Sequence, residues 1–168
     1  MMILDDILSV FPKDVKLRDG TACVLRPVNR RDDIRLRKFF LGVPGEERLF
    51  VKQPITDQTL FRQWCRQPDF ERNLPLLLLH GRQIIGEATL HQRGGGWKRH
   101  IGLITLLTHP EYRGRDVSKI LVSELIEIAR GCGPGPTAVG SPAASSCILR
   151  SARHPQSITG QINHWRSK

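Results

Sequence analysis

"THPEYRGRDVSKILVSELIEIAR", residues 108–130, passes without a break from a turn carrying two arginines into a helix. Val117, Ile120, Leu121, Leu125 and Ile128 recur at helical spacing and form one apolar face, with Lys119, Ser123, Glu124 and Glu127 mostly elsewhere. The turn itself is Arg113-Gly114-Arg115-Asp116. A helix mouth presents open backbone N–H groups and the positive end of a macrodipole, so a turn feeding it can hold a phosphate. Two guanidiniums there can add charge-assisted bonds. The same residues read equally well as a plain strand-to-helix connector with solvated arginines.

The parts upstream have a definite order. "ILDDILSVF" is a short helix. "DGTACVLRPV" (Asp19–Val28) is a turn and a strand stopped by Pro27. Asn29 caps a helix with Ile34, Leu36, Phe39 and Phe40 inward and Gly42 near its end. A second helix covers Thr56–Arg66, where Leu60, Phe61 and Trp64 repeat at helical spacing. Leu74–His80 then turns at Gly81-Arg82 into Gln83–Gln92, and Gly94-Gly95-Gly96 turns into Trp97–Thr108. These three strands read as an antiparallel meander.

Strand, two helices, a meander and then "HPEYRGR" opening a long helix: this order, over about Leu17 to Arg130, resembles the GNAT superfamily of N-acetyltransferases. The resemblance implies an α/β fold, an acyl-CoA N-acyltransferase-like mixed, mainly antiparallel sheet flanked by helices. It also implies transfer of an acetyl group from acetyl-CoA, as cosubstrate, to an amine acceptor. The family signature, Arg/Gln-x-x-Gly-x-Gly/Ala at a helix start, falls on Arg113, Gly114, Arg115, Asp116, Val117 and Ser118. By the resemblance, Gly114 to Lys119 would hold the CoA pyrophosphate. Leu106, Leu107 and Thr108, ending the fourth predicted strand, would meet the pantetheine and polarise the thioester carbonyl. The acceptor is an amine, on a small molecule or a protein.

Three departures from the family stand out. Asp116 and Ser118 occupy positions where the family prefers Gly and Gly/Ala; a carboxylate beside pyrophosphate repels it, while Asp116 suits a helix start. The fourth predicted strand, "HIGLITLL", lacks the carboxylate that many members carry, so Glu87 on the preceding strand is the candidate base; its plainer reading is a solvent-facing strand residue. Finally, the family's later strands are not recognisable. Residues 131–168 are expected to be a poorly ordered tail behind a domain spanning 1–130, because Gly, Pro and Ser make up 15 of the 41 residues from Ile128 onward and no strand alternation shows. The abrupt change near Gly131 is consistent with a shifted reading frame. Without those C-terminal strands, "GLITLL" would be an open apolar edge inviting self-association.

Composition narrows the remaining functions. The chain has 168 residues and a net charge of +10, enough for one domain with an ordinary core. No acidic residue follows Glu127, so residues 128–168 alone carry +5. Such a surplus favours anionic ligands without choosing among them. The longest apolar run, in "LPLLLLH", is far too short for a membrane span, and Asp5 and Asp6 sit where an export signal would want lysines. Cys23, Cys65, Cys132 and Cys147 show no close pairing and read as reduced thiols, which with the absent signal points to the cytoplasm.

No metal site is expected. Cys132, Cys147, His154 and His164 lie 15, 7 and 10 residues apart, unlike zinc-finger spacing, and the remaining histidines read as surface or turn residues. Two alternatives to an active enzyme stay open. One is a catalytically silent GNAT relative that binds CoA or a partner. The other, less favoured, is a nucleic-acid binder using Arg93, Lys98, Arg99, Arg113, Arg115 and the basic C-terminal tail, against which stands the lack of aromatics interleaved with those cations.

Overall fold

The computed structural model describes residues 4–48, 57–70, 72–92, 101–131 and 160–163. Six strands form one sheet in sequence order, each antiparallel to the last: β1 (Lys13–Lys16), β2 (Ala22–Pro27), β3 (Asn73–His80), β4 (Gln83–Gln92), β5 (Ile101–Thr108) and β6 (Gly160–Asn163). Helices α1 (Leu4–Ser9) and α4 (Val117–Gly131) pack on one face. Helices α2 (Asp33–Gly42) and α3 (Gln58–Arg66) cover the other.

The central strand shows why both faces are covered. Leu76, Leu77 and Leu78 of β3 are each 0% exposed, with alternate residues in the two opposite core layers. A sheet with helices on both sides needs such an unbroken apolar run, and each buried leucine contributes roughly 1.5–3 kcal/mol. The β3–β4 hairpin turns at Gly81, whose φ of +58° suits the residue without a Cβ. Gly86 of β4 lets α4 approach closely. A Cβ there would stand 2.5 Å from Val117 Cγ1 and 2.8 Å from Leu121 Cδ1.

Several local expectations shift. The strand Lys13–Lys16, paired along β2, was not visible in its mixed sequence. Helix α2 begins at Asp33 behind Asp32 rather than at Asn29. The reason is Asp32, which is fully buried on Arg26 (Oδ2 to Nη1 2.6 Å, Oδ1 to Nη2 2.8 Å) and accepts the Asn29 N–H at 2.9 Å, holding the chain in a turn until that point. Ile34, expected inward, is 65% exposed as a result. Helix α3 is capped by Asp57, whose side chain accepts the Thr59 N–H at 2.8 Å.

The expectation that C-terminal strands are missing needs correction at one place. Gly160–Asn163 pairs with Ile101–Ile104 of β5. Backbone pairing to an open edge needs no side-chain alternation, so a strand can form where the sequence shows none. Among the described residues, β6 leaves the outer edge of Thr105–Thr108 without a strand, and only that half of the predicted open edge remains. Gly94–Trp97, Arg93, Lys98, Arg99, Cys132, Cys147, His154 and His164 lie outside the described residues.

Candidate functional site

The half of β5 not covered by β6 leads straight into the turn and α4. His109 N–H donates to Ile85 O at 2.8 Å, anchoring the exit from β5 onto β4. Pro110–Tyr112 then makes a single 3-10 turn. Thr108 Oγ1 and Ser118 Oγ lie 3.1 Å apart, tying the strand end to the helix start. Leu106 and Val117 share the core layer beneath α4, while Leu107 faces α2 and α3. The predicted strand-end and helix-mouth residues are therefore neighbours. The first backbone bond of the helix runs from Ile120 N–H to Asp116 O at 3.0 Å, and the N–H groups of Val117, Ser118 and Lys119 are those a helix mouth leaves open.

The turn's backbone is unusual at two residues. Gly114 has φ +74° and Asp116 has φ +67°. The sequence suggested that Asp116 suits a helix start, for which the ordinary cap has extended backbone. It instead holds the left-handed conformation that glycine adopts without cost, at the position where the GNAT pattern prefers glycine.

The turn's arginines are not free. Arg113 is ion-paired with Glu47, in the 3-10 turn after α2, and Arg115 Nη1 lies 3.2 Å from Asp19 Oδ2, in the β1–β2 turn. The Arg115 guanidinium also stacks 5.1 Å from the Tyr112 ring centroid. Hydrogen bonds from Thr21, assisted by Arg115, hold the Asp19 carboxyl below its usual range. Tyr112 OH is 2.8 Å from His80 Nδ1.

Glu87 lies in β4 directly opposite Leu107, on the face covered by α2 and α3. It is buried, not solvent-facing, at 5% exposure. Burial pushes its carboxyl up to about 7, and the hydroxyl of Thr89, donating to Oε1, offsets only part of that. The same face carries further polar residues that the sequence reading passed over. His91 Nε2 is 3.0 Å from Thr105 Oγ1 and His91 Nδ1 is 2.7 Å from Asn73 Oδ1. The signal for them was present: Glu87, Thr89 and His91 alternate beside a strand whose leucines require both faces to be covered, so they had to be internal. His91 is half-buried for the same reason, and His109 packs beside Phe39, with ring centroids 6.5 Å apart.

Among the described residues no His/Cys/Asp/Glu group could hold a metal ion, and no helix is long and apolar enough to cross a membrane. Cys23 and Cys65 are free and buried, and burial pushes the Cys65 thiol up to about 12.

Comparison with known proteins places this architecture. The family described as "Acetyltransferase (GNAT) family" matches residues 38–137. No curated protein matches the chain in sequence. Among solved structures, the GNAT domain of S. lividans PAT superposes with a TM-score of 0.66 at 19% identity, covering 91% of this chain and 97% of that one. An aminoglycoside acetyltransferase from an uncultured soil metagenomic sample gives 0.52 at 13% identity, covering 89% and 97%. The ribosomal-protein-alanine N-acetyltransferase of Brucella melitensis biovar Abortus 2308 gives 0.50 at 13% identity, covering 65% and 72%. At these identities the likeness is one of fold.

Proposed function

The chain belongs to the GNAT acetyltransferase family, and on that premise we propose that it transfers an acetyl group from acetyl-CoA to a primary amine, with Glu87 as the base. The observation that carries the reading is the position of Glu87: a buried carboxylate directly across from Leu107, one residue from the strand end that leads into the helix mouth. Acetyl-CoA would supply the activated thioester. Backbone N–H groups from Gly114 to Lys119 would hold its pyrophosphate, and the open edge at Leu106, Leu107 and Thr108 its pantetheine.

A carboxyl raised to about 7 is half ionised near neutrality, which suits a base that must take a proton from an ammonium and release it again. Glu87 removes that proton and leaves the amine lone pair free to attack the thioester carbonyl. The C–N bond forms, the C–S bond breaks, and the thiolate leaves with the electron pair and takes up the second proton of the amine, giving the amide and free CoA thiol. The low polarity around Glu87, from Leu77 and Leu107, strengthens its hold on the ammonium before transfer.

A second reading has its own support. Arg113 and Arg115 already carry carboxylate partners, and Asp116 adds a negative charge to the turn, so the chain could keep the fold and bind cofactor or partner without turnover. Calorimetric titration of acetyl-CoA, with CoA as control, separates the cases when followed by an acetyl-transfer assay with spermidine and lysine amide. Micromolar binding with transfer that Glu87→Gln abolishes supports the enzyme. Binding without transfer supports the silent relative. Absence of binding from a folded sample rejects both.

A further inference from the structure

A base buried at 5% exposure must return its proton to solvent before the next turnover. Among the described residues, the Thr89 hydroxyl is hydrogen-bonded to Glu87. Thr89 stands directly opposite Thr105 on β5, and Thr105 is bonded to His91 at 3.0 Å, which is bonded to Asn73 at 2.7 Å. Asn73 is exposed at the start of β3. These five side chains share one sheet face, and the track from Glu87 to His91 spans four residues of strand, roughly 13 Å.

Resting on the reading of Glu87 as base, we propose that Thr89, Thr105 and His91 form a relay that carries the proton from Glu87 to solvent beside Asn73, with His91 as its positioning residue.

The hydrogen-bond directions fit. Asn73 Oδ1 can only accept, so His91 Nδ1 carries the hydrogen, Nε2 is the acceptor, and Thr105 donates to it. Thr89 donates the other way, to Glu87. Both hydroxyls therefore turn lone pairs toward the gap between them. Directly opposed residues on antiparallel strands have Cβ atoms about 4.5–5.5 Å apart, a gap that a hydroxyl rotation or one water closes. One proton enters the track when protonated Glu87 donates to Thr89 Oγ1. The Thr89 hydrogen passes to Thr105, the Thr105 hydrogen passes to His91 Nε2, and the imidazolium releases its Nδ1 hydrogen to water; rotation of the two hydroxyls and exchange of the ring hydrogens with water then restore the Nδ1–H resting state. No bond other than O–H and N–H changes.

The surroundings leave the track little competition. On the described side chains of this face, Leu77, Leu107 and Pro75 flank it in register. Of the helices packed there, α3 brings the Cys65 thiol, which burial keeps protonated, and Arg62, paired with Asp33 of α2; Asp32 ahead of α2 is locked to Arg26, and His109 packs beside Phe39. Burial lowers the His91 imidazole, so a proton arriving on it is passed on rather than held.

The test of the relay itself needs no acceptor. In the full chain labelled with ¹⁵N-histidine, His91 is assigned by its loss in His91→Gln, and its ring nitrogens are followed from about pH 5 to 9. The expected result is the Nδ1–H tautomer at high pH and, besides the histidine's own titration, a step at the Glu87 midpoint of about 7. That step disappears in Glu87→Gln. It also disappears in Thr105→Val, which keeps side-chain shape and the Thr89–Glu87 bond, and in Thr89→Val, where the step is sought at higher pH because the bond that lowers the Glu87 carboxyl is lost. A His91 curve unchanged across all three variants overturns the relay while leaving the base untouched. Persistence of the step in both valine variants, but not in Glu87→Gln, also overturns it, because the effect is then through space. Full acetyl transfer to spermidine by Glu87→Gln overturns the base reading itself.

Discussion

Replacing Asp116 by glycine removes a charge and a backbone strain at once, and the two effects can be read separately. Its φ of +67° is a left-handed conformation, which costs a non-glycine residue about 1–3 kcal/mol, at the low end for aspartate. Glycine brings its own cost of roughly 0.5–1 kcal/mol from the more flexible unfolded chain, and a helix cap changed to glycine loses a few tenths. The net change in folding stability is thus within about 1 kcal/mol, or at most about 2–4 °C in Tm for a chain of this size. The charge term acts on binding. A carboxylate about 4 Å from a phosphate oxygen is repelled by roughly 1 kcal/mol in water and about 4 at a protein surface, and Asp116 is only partly exposed. Acetyl-CoA affinity should therefore rise by roughly 10- to 100-fold. Calorimetry on Asp116→Gly and Asp116→Asn checks this, since asparagine removes the charge yet tolerates the same backbone. Both should tighten binding, more at low salt than at high. If Asp116→Asn leaves Kd unchanged at low salt, the carboxylate does not face the cofactor's phosphates, and the placement of pyrophosphate on this turn is wrong.

Three further perturbations follow from other contacts. Glu47→Gln releases Arg113 from its partner and should tighten acetyl-CoA binding by roughly two- to tenfold, seen by calorimetry, with little change in Tm because a pair at the surface, here with Glu47 partly covered, contributes about 1 kcal/mol at most. Gly86→Ala drives a methyl group into Val117 and Leu121 and should cost about 1–3 kcal/mol in chemical denaturation, while pushing the helix mouth off the sheet and weakening acetyl-CoA binding. Glu87 gives a pH signature of definite sign. Its carboxyl is raised from 4.5 to about 7 on folding, so the native state holds a proton the unfolded chain has lost between those values. Stability should fall as pH rises through that window, by about 3 kcal/mol in total, and level off above it. Glu87→Gln should abolish the slope and be the more stable protein at pH 8, whereas acetyl transfer by the natural chain should rise with pH through about 7.

The elements readable in the sequence were those whose physics is local. The β3–β4 hairpin has Gly81 at the turn and matched apolar runs on both sides, and α4 has an apolar face at helical spacing, so both emerge where expected. What the sequence hid depends on partners far along the chain. Asp32 looks like one of two acids before a helix, and only its bidentate contact with Arg26 explains why the helix starts after it. Glu87 looks solvent-facing when β4 is read alone; the unbroken leucines of β3 beside it signal that both faces are covered, but not that α2 and α3, separated from β4 in sequence, are what close over it. The strand Gly160–Asn163 has no pattern of its own and is defined by the open edge of β5.

The net charge of +10 is a poor guide to the helix mouth for the same reason. Read along the chain, the turn offers Arg113 and Arg115 and invites an anion. Folding brings Glu47 and Asp19 onto those two guanidiniums, and Asp116 follows Arg115 in the same turn, so the turn's two cations are matched by three carboxylates. On the proposed placement, a pyrophosphate would meet two arginines already paired and the repulsion of a third carboxylate, leaving the backbone N–H groups of α4 as its main attraction. The sheet side of the site has no such conflict: Gly86 seats the helix, and Glu87 lies opposite the strand end. On the function proposed above, the face that carries Glu87 is therefore freer of conflict than the turn proposed to hold the cofactor. Weakness in this chain should appear first in the affinity for acetyl-CoA, measured as KM, and only second in kcat.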